Sequence, residues 1–543
     1  MRFHEIACAA VSFLHIVKAS NEQVPLSGDH QAKPQPYNVA IIGEYINRVY
    51  DTSPHTSITN GRPGAGAAGA SSAYHLAQYA QAASIPINIT MFERNSYIGG
   101  RTTTVNAYND SDVPLELGAS IFVEVNRILV EAAKTFNLSS SALSPASRRT
   151  SDIPGPALGV WDGKSLVATL QNEGGWWDTA KLLYKYGLAP IRTMNLMKAT
   201  VGKFLQMYDE PIFPFASLTK AARDVGLSSV TASTGEQFLR EHNIGSLFAR
   251  EIVQASTRVN YAQNLETIHG LETMVCMAAE GAMAIDDGNW RIFDAMITAA
   301  NATALLNTSV TALSQQRDGG YLLHSNDTTS KALTSEFDEV IIATPLQFAN
   351  LSLVFPAHSI SVPQARPYVH LHVTLFTAPH PLSPTFFGLS PNKPAPHAVL
   401  TTLPQSEHPP LDHQVGSPGF FSVSLLRTLA NPRTGRTEYA YKIFSPSPVN
   451  ATFLADLLSV SLDQEDELYE RDVSWIYRKV WDSYPYETPR DSFDEIKLGE
   501  GLWYTSGIEN FISTMETSAL MGKNVGRLLV DGLVERTHGG RRV

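Results

Sequence analysis

The apolar positions of the chain change period three times. Val39 to Ile42 is a short continuous apolar run of the kind that fills a buried parallel strand, and Ile87 to Phe92 is a second strand-like run. Between them, SSAYHLAQYAQAA reads as a helix. From Trp176 to about Ala279 the pattern is mainly helical, with amphipathic segments at Thr179 to Tyr186 and Glu236 to Glu241 and a Pro and Phe stretch, EPIFPFASL, between them. Strands return at ALLNTSVTALSQQ, GGYLLHS and Phe337 to Ala343, and Tyr368 to Thr377 alternates at period two. Pro and His crowd the stretch from Pro379 to Pro418, which predicts loops. A strand, turn and helix are expected again from Gly501 to Leu529.

The first strand and helix enclose the most specific motif. Gly64, Gly66 and Gly69 spell GxGxxG at the mouth of the helix, and Glu93 closes the second strand-like run. The glycines allow a tight turn, close approach of backbone N–H groups to a pyrophosphate, and close packing of helix on strand. The acid suits ribose hydroxyls. One feature departs from this pattern: Glu44 to Pro63 separates the strand from its glycines. Deleting Glu44 to Gly64 leaves VAIIGAGAAGASSAYHL, an uninterrupted strand, turn and helix. The repeated glycine at the junction leads us to read 44–63 as a retained intron or gene-model error in preference to a loop insertion.

Composition narrows the class. At 543 residues the chain exceeds one typical core, and its formal net charge of −11 offers no basic field for nucleic acid. Residues 1–20 read as a secretory signal, with Arg2 ahead of an apolar stretch from Ile6 to Val17; no other run approaches membrane-spanning length. Sequons at Asn88, Asn109, Asn137, Asn301, Asn307, Asn326, Asn350 and Asn450 agree with a secretory route, ending in a lysosome, a vacuole or the extracellular space. Of the two cysteines, Cys8 leaves with the signal, and Cys276 in LETMVCMAA reads as a small core residue. HExxH and GxSxG are absent. His370 and His372 share a strand face without a third ligand nearby, so no metal site is expected.

Further along, Ile98-Gly99-Gly100-Arg101-Thr102 and Glu116-Leu117-Gly118-Ala119-Ser120 suggest a second close backbone approach to a large ligand, with Arg101 placed to offset phosphate charge. ERNSYIGGR resembles the stretch that follows the ribose-binding acid in flavoprotein oxidases of the amine-oxidase type. STRVNYAQ (Ser256 to Gln263) with Ile268-His269-Gly270, Gly288-Asn289-Trp290, and the tail from YPYETP to GIENFISTMETSAL narrow the resemblance to the prenylcysteine oxidase, or prenylcysteine lyase, family. It extends from about Val39 to Leu529 with the insert set aside.

That resemblance implies an α/β fold: a two-domain, FAD-binding Rossmann-type flavoprotein, amine-oxidase-like, with an inserted α+β substrate domain. The FAD-binding parts fall at 37–125, 291–350 and 496–535, and the substrate-domain parts at 126–290 and 351–495. It implies FAD contacts at Gly64, Gly66, Ala68, Gly69, Glu93, Gly100, Arg101, Gly118, Ala119, Val310, Gly507, Ile508, Met515 and Glu516. Asn510 and Ser513 are placed near the start of the last helix, whose N-terminus faces the flavin pyrimidine. The implied reaction oxidises the carbon next to sulfur in a prenylated cysteine, with molecular oxygen as acceptor. It calls for orientation and a dry apolar site more than a strong base, so no general base is assigned; Glu509, Glu516 and Tyr504 are the acid or base candidates. Two other readings stay open: an amine or other metabolite oxidase on the same scaffold, and a chain disabled by the insert.

Overall fold

The computed structural model describes residues 35–43, 66–142, 153–171, 176–317, 319–327, 331–356, 360–462, 468–469 and 471–538. The expected signal, the 44–63 insert and Gly64 lie outside the described residues.

Val39 to Ile42 are fully buried in a strand, Tyr37–Ile42, at the middle of a six-stranded sheet. The order across the sheet is 497–499, 502–504, 339–342, 37–42, 87–92, 303–305, and all but the first of these run parallel. From Tyr37–Ile42 the chain steps to Ile87–Phe92 on one side and later to Glu339–Ile342 on the other. Strand order reverses there, and the carboxyl ends of open α/β sheets bind ligands at such a point.

Helix Ala67–Ala82 covers one face of this sheet together with the final helix, Met515–His538. The two helices approach through small residues. A Cβ at Gly522 would lie 2.5 Å from the Ala68 carbonyl oxygen, and Ser71 Oγ donates to the Ala519 carbonyl at 2.6 Å. On the other face, Ala40, Ile42 and Phe92 pack with Val310, Leu313, Tyr321 and Leu323 of a four-stranded sheet built from 308–315, 321–327, 332–337 and 352–354.

The stretch from Trp176 to Met277 is mainly helical, as its periodicity predicts, and its buried residues join the core beneath the first helix. A seven-stranded sheet forms the remaining layer, in the order 475–485, 368–378, 437–445, 422–430, 398–401, 158–161, 166–170. Its strand Tyr368–Ala378 alternates only at its start, with His370 and His372 outside; from Val373 onward both faces are covered. His370 pairs with Asp482 at 3.1 Å. Cys276 is buried, as a core residue. Among the described residues no helix is long and apolar enough to cross a membrane.

Candidate functional site

The carboxyl end of the central strand, the start of the first helix and two glycine turns converge. Helix Ala67–Ala82 starts at Gly66 with neither a side-chain cap nor an acid in its first turn. Its first N–H groups therefore have no partner from within the helix, which suits an anion. Gly66 forms a parallel bridge with Gly99. Gly99 and Gly100 take φ of 104° and 59°, and a Cβ at Gly99 would lie 1.8 Å from the Thr102 carbonyl oxygen, so this turn tolerates only glycine. Gly118 is pressed equally close, 2.0 Å from its hypothetical Cβ to the Arg101 carbonyl oxygen, and the Ala119 N–H donates to that same oxygen at 3.2 Å.

Glu93 sits at the carboxyl end of its strand, buried, and its Oε1 accepts the Asn95 backbone N–H at 2.9 Å and the Asn95 side chain at 2.6 Å. Ala68 and Gly69 lie in the first helical turn. Val310 is 1% exposed with its side chain in the core between the two smaller sheets, so any ligand it meets meets its backbone.

Arg101, expected to offset phosphate charge, has a counter-charge within the chain. Its guanidinium forms two 2.7 Å bonds to the Glu509 carboxylate and a third to the Ser483 carbonyl, and Tyr368 OH donates to Glu509 Oε2 at 3.3 Å. The charge Arg101 carries toward this region is already balanced, which a lone Gly-Gly-Arg motif cannot reveal.

Gly507 and Ile508 form a buried 3₁₀ turn, Ser506–Asn510, ahead of the final helix. Asn510 and Ser513 precede that helix, which begins at Met515. Glu516 lies in its first turn, but its carboxylate is committed elsewhere. It accepts the Ile128 and Leu129 N–H groups at 2.9 and 3.0 Å, capping helix Arg127–Thr135, and the Tyr208 hydroxyl at 2.8 Å. The Glu516 side chain thereby fixes the start of that helix. Burial raises the pKa of this carboxyl while the two amides oppose the rise.

Several motif residues prove to hold segments together. Asn289 accepts the Ile285 N–H, donates to the Ala119 carbonyl, and presents its own N–H to Glu116 Oε1 at 2.8 Å. Glu116 is pushed up to about 7 by burial, and Lys442 is pulled down to about 8 by the same cause, partly offset by Glu116. Gln263 donates to the Pro485 carbonyl and accepts the Glu487 N–H, joining NYAQ to YPYETP. Arg258, fully buried, bonds Thr401, Asn264 and the Gln414 and Val415 carbonyls. None of these partners is legible from spacing, because each lies over a hundred residues away or across a turn.

The profile for prenylcysteine lyase matches residues 170–539, and one for an NAD(P)-binding Rossmann-like domain matches 64–132. The chain belongs to the prenylcysteine lyase family. Within that family it is 28% identical to farnesylcysteine lyase of Arabidopsis thaliana over 90% of both chains. It is 24% identical to human prenylcysteine oxidase 1 over 86% of this chain and 87% of the other. Among solved structures, the family member resembles cyclohexylamine oxidase from Brevibacterium oxydans, with a TM-score of 0.52, 15% identity and coverage of 92% and 100%. Putrescine oxidase gives 0.52 at 13%, covering 92% and 99%. Those likenesses establish a shared fold. The uncapped helix start, the glycine-only turns and the buried acid at the second strand fit a dinucleotide, as the fold implies.

Proposed function

We propose that this chain is an FAD-dependent oxidase that cleaves the thioether of a prenylated cysteine to an isoprenoid aldehyde, free cysteine and hydrogen peroxide. The observation that carries the reading is the family match across 170–539, which spans the helical layer, most of the seven-stranded sheet and the final helix that returns to the dinucleotide fold.

In this reading FAD supplies the hydride acceptor when bound. The chain's residues bind and orient it: amides at Gly66 to Gly69 toward the pyrophosphate, Glu93 toward ribose hydroxyls, the backbones of Gly100, Gly118, Ala119 and Val310 along its length, and Gly507, Ile508 and Met515 at the ring end. The Arg101–Glu509 pair ties the glycine turn to the segment at that ring end. A carbocation beside sulfur and a double bond is stabilised by both, so the protein's task is to align the reacting carbon and exclude water until it is needed. Molecular oxygen is the second substrate. We also propose that the chain follows the secretory route to a lysosome, a vacuole or the extracellular space, on the support of its N-terminal apolar stretch and its sequons.

The test is to express the chain with and without Glu44 to Gly64, record the flavin spectrum, and assay peroxide with farnesylcysteine. A flavin-bearing protein that forms peroxide from farnesylcysteine is expected. A protein that takes up no flavin in either form, or that carries flavin and leaves farnesylcysteine intact, overturns the reading.

A further inference from the structure

Against the segment 506–514 lies a buried polar group that the reaction just described does not use. His269, Glu272 and Glu487 are each fully buried, and one potential ligand atom of each lies within 4.8 Å of the others. Four of their atoms make no hydrogen bond of ordinary geometry: His269 Nε2, Glu272 Oε1 and both oxygens of Glu487. The Tyr261 hydroxyl lies toward Glu272 and the Asn510 backbone toward the His269 ring. The remaining atoms are fixed. Glu272 Oε2 accepts the Ser513 N–H at 3.1 Å, and the His269 N–H donates to the Glu487 carbonyl at 2.7 Å. Two carboxylates this close and this dry resist both being charged, and Arg490 beside Glu487 offsets only part of that cost.

A divalent cation or a proton offsets the rest, and the imidazole distinguishes them. His269 caps helix Gly270–Met277 by accepting the Glu272 N–H on Nδ1 at 3.1 Å. A neutral imidazole has one acceptor and one donor nitrogen, so Nε2 carries the hydrogen. It lies 3.5 Å from Glu487 Oε2 and has no lone pair to give a metal. The two carboxylates left over are too few for a closed cation site.

We propose that Glu272 and Glu487 hold one proton between them at rest, faced by the His269 Nε2–H, and that the carboxylate still charged takes up the proton released in one half of the reaction and returns it in the other. The inference rests on the proposed thioether oxidation. Hydride leaves the carbon next to sulfur, and water adds there, forming the C–O bond and releasing one proton. The new hydroxyl's proton passes to sulfur as the C–S bond breaks. Reducing oxygen to hydrogen peroxide takes up the hydride and one proton, so the proton released in one half is the proton required in the other. Storing it inside spares an exchange with solvent through a dry site.

The surroundings favour the neutral acid. Burial pushes Glu272 up to about 7 and Glu487 well above the carboxylate range, while it draws His269 down to about 3. Tyr261 from helix Gln254–Tyr261 and Cys276 from the helix of Glu272 face the pair. Glu509 adds negative charge and Arg490 positive charge beside Glu487.

Infrared spectroscopy of the full-length, flavin-loaded protein tests the store without any thioether. At neutral pH we expect the carbonyl stretch of a protonated carboxylic acid, shifted in D₂O, which weakens in both Glu487→Gln and Glu272→Gln; either variant suffices if the other does not fold. A wild type without such a band, a band unchanged in the folded variants, or a stoichiometric divalent metal in the purified protein overturns the proposal. Proton release on anaerobic reduction by farnesylcysteine, read with a pH indicator, addresses the link. The wild type should retain its proton and Glu487→Gln should release it, whereas equal release from both defeats the link. Failure of farnesylcysteine to reduce the protein, with the acid band present, instead counts against the proposed substrate.

Discussion

Arg101 and Glu509 stand 408 residues apart in the sequence and meet through two bonds of 2.7 Å, one to each carboxylate oxygen. Glu509 is nearly buried and Arg101 is 27% exposed, so the pair is bidentate and only partly screened. Glu509→Ala leaves the guanidinium without its counter-charge at the glycine turn. The expected result is a loss of about 1–3 kcal/mol in denaturant unfolding, together with weaker flavin retention. A double-mutant cycle with Arg101→Ala measures the coupling, and additive effects would show that the pair contributes nothing.

Glu516→Ala removes one carboxylate from three donors: the Ile128 and Leu129 amides and the Tyr208 hydroxyl. All three are then buried without partners, at a cost of about 2–4 kcal/mol, and Glu516→Gln should recover part of it. Urea midpoints of the two variants check this. Equal midpoints for wild type and Glu516→Ala would mean that the cap is not formed.

The pH dependence of stability follows from two opposed sets of groups. Burial raises Glu116, Glu272, Glu339, Glu487 and Glu516 above their ordinary 4.5, to about 7 for Glu116 and Glu272. The folded chain keeps these protons where the unfolded chain has lost them, so stability falls as pH rises from 4.5 through 7. Burial lowers His75 and His269 to about 3 and His372 to about 4, from 6.5. Their contribution is lost as pH falls below 6.5. Above 6.5 the imidazoles no longer differ between states and the carboxyls dominate until Lys442, lowered to about 8, begins to lose its proton in the folded chain. The Tm is therefore expected to be higher at pH 6 than at pH 8, with a further decline below pH 4.5; thermal scans across this range decide, and a Tm that rises from pH 6 to 8 contradicts the assignment.

Removing Glu44 to Gly64 should increase bound flavin. It leaves Gly43-Ala65-Gly66 to join a strand ending at Ile42 to a helix beginning at Ala67. Absorbance of the purified proteins measures the ratio, and equal flavin content would argue for a tolerated loop. In the shortened chain, Glu93→Ala should lower flavin retention several-fold on dilution; unchanged content would remove Glu93 from the ribose.

The sequence by itself determined the strand Tyr37–Ile42, the helix after the glycines, the acid closing the second strand and the alternation from helix-rich to strand-rich layers. These depend on local period and on backbone geometry at a few residues, which neighbouring positions encode. Tertiary structure alone decided which charges survive at the site. Arg101 is matched by Glu509, Glu516 is drawn off to Ile128 and Leu129, and His269 in a stretch read only as a family motif meets Glu487 from the other end of the chain. A side chain's protonation and partners depend on what lies within a few ångströms, and folding brings together residues that no spacing rule connects.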